Sequence, residues 1–114
     1  MEEKLNKLKE YLQMDKEISV EEFKDYYSGI IEHLNRDYSQ MDQNTRLKAR
    51  YICSILQANA ESRSRRDKKN SKIFRKMSAK CMFWLDAIDY RLHKEGLAQA
   101  DIEQAMSEIN KNMG

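Results

Sequence analysis

Proton transfer, nucleophilic attack and metal ligation would fall to two histidines, two cysteines and nineteen carboxylates in this chain. Their spacing assembles no known machinery. There is no Cys-x-x-Cys, no His-x-x-x-His and no Glu-x-x-His, the spacings that put zinc or di-iron ligands on one face. His33 and His93 fall in different segments. Asp86, Asp89 and His93 do share about 60° of one helical face. That set could orient a histidine, but the expectation is a solvated face with an ordinary i, i+4 pair. Cys53 and Cys81 sit in apolar helical patterns and read as small buried hydrophobes. Two distant cysteines in a chain of this size point to reduced thiols and a cytoplasmic setting, not to a disulfide scaffold. No glycine-rich loop is present to cradle a phosphate. The sequence therefore predicts no enzyme, no catalytic residue, no cofactor and no metal.

The basic residues form the one dense constellation. Arg63, Arg65, Arg66, Lys68, Lys69, Lys72, Arg75, Lys76 and Lys80 crowd into eighteen positions with Asp67 as the only acid. The formal net charge of +2 hides this arrangement. Residues 1–45 carry six basic and eleven acidic residues, a net of −5. Residues 46–80 carry twelve and two, a net of +10, and residues 81–114 carry three and six, a net of −3. A cluster of this kind repels itself. Either the acidic first and last helices neutralise it within the fold, or it is a landing surface for phosphates or an acidic partner. Four of the nine are arginines, which favour bidentate contact with phosphate or carboxylate.

The elements that must position these residues are helices. The 114 residues fit one domain and contain no proline and three glycines, too little turn chemistry for a sheet. Approximate helices span 2–14, 20–38, 45–66, 72–93 and 98–110, an all-α, single-domain irregular bundle of four to five helices. Ser19 and Glu22 read as a capping box. Behind them Phe23, Tyr26, Tyr27, Ile30, Ile31, Leu34 and Tyr38 occupy about 140° of arc, the clearest amphipathic stripe in the chain. Gly29 lies on its polar side. Asp42 or Asn44 can cap the third helix, whose stripe is Leu47, Tyr51, Ile55 and Ala58. A break near 67–71 separates it from the fourth helix, with one continuous helix over 45–93 as the alternative. Gly96 suits a C-terminal stop.

The fourth helix is apolar on two sides. Phe74, Met77, Cys81, Trp84, Leu85, Ile88 and Leu92 define its main face, while Phe83 and Tyr90 lie on the opposite side. Such a helix is either central and buried all round, or it presents an aromatic patch to a partner. In a five-helix domain the central placement is the expectation. No apolar run approaches the roughly eighteen residues of a membrane span, and the charged N-terminus does not resemble a signal peptide.

These features point to a small adapter- or inhibitor-type interaction protein that docks on a larger protein or nucleoprotein through its basic segment. Phe83 and Tyr90 would supply apolar anchors or a homodimer contact. A short, highly charged chain without catalytic residues suits a phage- or mobile-element-type regulator. The alternative is a nucleic-acid-binding protein that contacts the phosphate backbone with little sequence preference, since no helix-turn-helix is recognisable.

Overall fold

A computed structural model describes all residues, Met1–Gly114. Helix α1 spans Glu2–Leu12, α2 Val20–Asp37, α3 Gln43–Arg66, α4 Ser71–Lys94 and α5 Gln99–Lys111, with a 3₁₀ turn at Tyr38–Gln40 between α2 and α3. There is no strand, and 82% of the residues are helical.

Local signals set most helix ends. The Ser19 hydroxyl accepts from the Glu22 N–H (3.1 Å) and starts α2. The reciprocal half of the expected capping box is missing, because the Glu22 carboxylate instead accepts from the Tyr11 hydroxyl (2.5 Å) and ties α1 to α2. Asp42 caps α3 through the Thr45 N–H (2.8 Å). The break between α3 and α4 is real and covers residues 67–70. There Asp67 accepts from both the backbone and the side-chain amide of Asn70, folding the chain back on itself. Gly96 ends α4 with φ +99. The Leu97 N–H reaches Leu92 O and the Gly96 N–H reaches His93 O, the paired bonds of a Schellman stop.

Helices α3 and α4, each 24 residues and about 36 Å long, pack lengthwise against one another as an antiparallel pair. Helices α1 and α5 lean on α3. The central helix is therefore α3. Ala49, Ile52, Cys53, Leu56 and Ala60 are buried on one side and Tyr51 on another, and from Thr45 to Ala60 only Ala58 is exposed. The expected stripe Leu47, Tyr51, Ile55 and Ala58 is only its flank: Leu47 and Ile55 are half-buried and Ala58 is exposed. The stripe of α2 behaves as its spacing predicts, with Phe23, Tyr26, Ile30 and Leu34 buried and Tyr27, Ile31 and Tyr38 half-buried beside them.

Tyrosine hydroxyls bridge the helices. Tyr26 donates to Lys4 O (2.6 Å), Tyr38 to Ala87 O (3.0 Å) and Tyr51 to Asn110 Oδ1 (2.7 Å). Each ring is packed and each polar tip is satisfied, which is how tyrosine is accommodated in an interior.

The charged tip of Lys4 from α1 lies over Gly29, in keeping with a polar side. A Cβ there would stand 2.6 Å from Lys4 Nζ, the far end of a flexible side chain. The helix-propensity gain of alanine, up to about 1 kcal/mol, outweighs moving that lysine tip. Gly29→Ala is expected to raise the denaturant midpoint with an unchanged m-value.

Candidate functional site

The twelve basic residues of positions 46–80 divide into two groups, and the division follows the helices. Those on α3 are matched by carboxylates. Arg46 meets Glu95 (2.8 Å), Lys48 meets Glu2, and Arg50 grips Asp89 through both Nε and Nη2. Arg65 meets Glu61 one turn back (2.7 Å), and Arg66 holds Glu17 through two 3.0 Å bonds. The Arg66 guanidinium keeps the Glu17 carboxyl below the usual carboxylate range. Arg63 lies 3.9 Å from the same Glu17.

The others have no carboxylate within 4 Å. Lys68 and Lys69 stand in the turn, and Lys72, Arg75, Lys76 and Lys80 stand on the first half of α4; all six are exposed. The nine-residue cluster expected from the sequence is thus not one surface. Arg63 is only 5% exposed and belongs to the interior: its Nη2 donates to Ile18 O (2.8 Å) and the Phe23 ring lies 4.6 Å from its guanidinium. Arg65 and Arg66 are exposed but engaged. Internal neutralisation accounts for the α3 half and leaves the α4 half unmatched.

Helix α4 is not central. Phe83 is 57% exposed and Tyr90 65% exposed, so the expectation that the fourth helix is buried all round fails. With α3 covering one side of α4, five helices leave nothing to cover the other. Trp84, the neighbour of Phe83, faces inward against Tyr38, their ring centroids 5.2 Å apart. The outward face of α4 carries Lys72, Lys76, Lys80, Phe83, Tyr90 and Lys94 within about 80° of arc and over about 33 Å. Lys80 Nζ lies 5.3 Å from the Phe83 ring centroid and Lys94 Nζ 5.3 Å from that of Tyr90. Cations and aromatics are interleaved on one solvent-facing stripe.

The remaining candidates disperse. Asp89 is taken by Arg50, and the His93 ring meets Leu97 O at 2.9 Å, so Asp86, Asp89 and His93 form no triad. No three ligating side chains converge on a point where a metal ion could sit. Cys53 and Cys81 are free and fully buried. Burial pushes both thiols up, Cys81 to about 12, which disfavours the thiolate that nucleophilic chemistry requires. A thiol reagent such as DTNB should leave both untouched in the native protein and label two groups after denaturation. Fast native labelling would place a thiol at the surface.

No helix is long and apolar enough to cross a membrane. No protein-family profile, curated protein or solved structure shows significant similarity to this chain.

Proposed function

We propose that this chain is a non-enzymatic interaction protein that docks on a larger, acidic macromolecular partner through the outward face of α4 and the adjoining turn. The observation that carries this reading is the pairing pattern. Every basic residue on α3 between 46 and 66 has a carboxylate near it, and none from Lys68 to Lys80 has. Six exposed cations held together against their own repulsion raise the local potential and steer anionic surfaces towards it. Phe83 and Tyr90, on the same face, supply the desolvated anchors that interfaces favour.

A second reading has a specific observation behind it. Interleaved lysines and exposed aromatic rings along one face are what proteins use to track a nucleic-acid strand, with cations on phosphates and rings under bases. Affinity capture from the native host, with and without nuclease, separates the two. A protein partner retained after nuclease treatment, and lost when Lys72, Lys76 and Lys80 are reversed to glutamate, supports docking on a protein. Recovery of nucleic acid alone supports the second reading. Equal capture of the same partners by wild type and reversed variant overturns both.

A further inference from the structure

The segment joining α1 to α2 roofs a cavity of about 250 Å³. Leu8 and Leu12 of α1, Phe23 and Tyr26 of α2, and Ile55 and Leu56 of α3 form its apolar walls. This is more room than the ~150 Å³ apolar cavity that takes up benzene, and close to the ~300 Å³ at which pockets for small organic ligands begin. Leu8, Phe23, Tyr26 and Leu56 belong to the buried core, whereas Leu12 at the rim is 44% exposed. The cavity is thus a cleft with a core floor and an apolar lip.

Its polar lining is unusual for a void. Arg63 and Asn59 both line it. The Arg63 side chain is 6% exposed, and its Nε is buried with no acceptor. One carbonyl, Ile18 O, takes a hydrogen bond from Nη2. The nearest carboxylate, Glu17, is 3.9 Å away and already holds Arg66 through two shorter bonds. Two guanidinium groups therefore share one carboxylate. Arg66 stands outside the cavity and takes both oxygens of Glu17, which leaves Arg63 without a carboxylate in hydrogen-bond contact. A buried charge is tolerated when it is paired and fully hydrogen-bonded, and Arg63 as it stands is short of both. The rings of Phe23 and Phe74, 4.6 and 5.9 Å from the guanidinium, stabilise its charge without accepting it as an anion would.

We infer that this cavity binds a small amphipathic carboxylate, its anionic end on Arg63 and its hydrocarbon or aromatic body between α1, α2 and α3. One buried guanidinium short of acceptors suits one carboxylate group. A phosphate dianion would instead meet Asp15 and Glu17 at the same opening. Arg63 thereby leaves the basic docking surface and becomes the polar anchor of a separate site on the other side of α3, independent of the α4 face.

The test uses the full chain, isotopically labelled, titrated with octanoate and with indole-3-acetate, a flexible and a rigid monoanion. 1-Octanol serves as the uncharged control. The expected result is saturable shifts at Leu8, Tyr26, Ile55 and Arg63 for at least one acid, with 1-octanol at least about tenfold weaker than octanoate where octanoate binds, the loss of a charge-assisted hydrogen bond. Ile55→Trp, which fills the cleft from a half-buried position and leaves Arg63 intact, should abolish those shifts. Arg63→Gln also removes the bond to Ile18 O that holds the α1–α2 segment, so the decision rests on the probes and on Ile55→Trp. No saturable shift with either acid at millimolar concentration overturns the assignment. So does 1-octanol binding as tightly as octanoate, or shifts that persist in Ile55→Trp or map to Phe83 and Tyr90.

Discussion

Reversing Lys72, Lys76 and Lys80 to glutamate should sharply weaken partner binding while leaving the fold intact. All three side chains are exposed and none has a carboxylate partner, so their replacement breaks no ion pair within the protein and costs only the contact of Lys80 with the Phe83 ring. Surface changes of this kind shift stability by about 0.5 kcal/mol or less. Arg65 and Arg66 are unsuitable for this experiment despite lying in the same run. Reversing Arg66 places a carboxylate against Glu17 and loosens the segment that joins α1 to α2.

The size of the effect depends on the partner. If all six unmatched cations neutralise phosphates of a duplex, affinity falls with a log–log salt slope of about −5.4, on the order of 10³-fold between 50 and 200 mM salt. Losing three of them halves the slope to about −2.7, and the same salt step then costs only about forty-fold. Against an acidic protein surface, salt acts mainly on the association rate, and apolar contacts by Phe83 and Tyr90 hold a remnant of affinity at high salt. Fluorescence anisotropy with a labelled oligonucleotide, repeated across salt concentrations, reads the slope directly. A reversed variant that keeps wild-type affinity and slope would reduce the α4 cations to solvated charge.

Trp84→Ala and Phe83→Ser should have opposite consequences although the residues are adjacent. Trp84 is 8% exposed and packed against Tyr38. Removing its ring empties a large interior volume at a cost of about 3–5 kcal/mol. For a domain of this size that lowers Tm by more than about 10 °C. Native fluorescence should accordingly be blue-shifted. Phe83 is more than half exposed and touches Trp84 edge-on at 5.5 Å, so Phe83→Ser forfeits one edge contact of about 0.5–1.5 kcal/mol. The double variant Phe83→Ser, Tyr90→Ser should stay folded and lose any association made through α4. Urea denaturation followed by circular dichroism decides both cases. If the Phe83 and Tyr90 changes unfold the protein, the outward face of α4 is core and the docking surface has to be redrawn.

The helices were legible because their signals are local. Ser19, Asp42 and Gly96 act within four residues of themselves, and the apolar spacing of α2 needs only its own residues to define a face. The absence of proline and the scarcity of glycine were enough to exclude a sheet. The run of positive charge from Arg63 to Lys80 is likewise written in the sequence.

Which of those charges remain unmatched was not legible, because pairing is set by residues far away along the chain. Arg50 finds Asp89 across 39 positions, and Arg46 and Arg66 find Glu95 and Glu17 across 49. Periodicity likewise shows that α4 is apolar on two sides, but not whether anything covers the second. That depends on how many helices α3 gathers round itself, and it gathers enough to become the central helix while one side of α4 stays open. The interior position of Arg63 has the same origin. In the sequence it is one more cation in a basic run, and only the packing of α2 and α4 around α3 places its guanidinium against both Phe23 and Phe74. Local propensity and periodicity thus determined where the helices are. Long-range packing decided which charges face solvent, because burial and ion pairing depend on neighbours that the sequence does not place side by side.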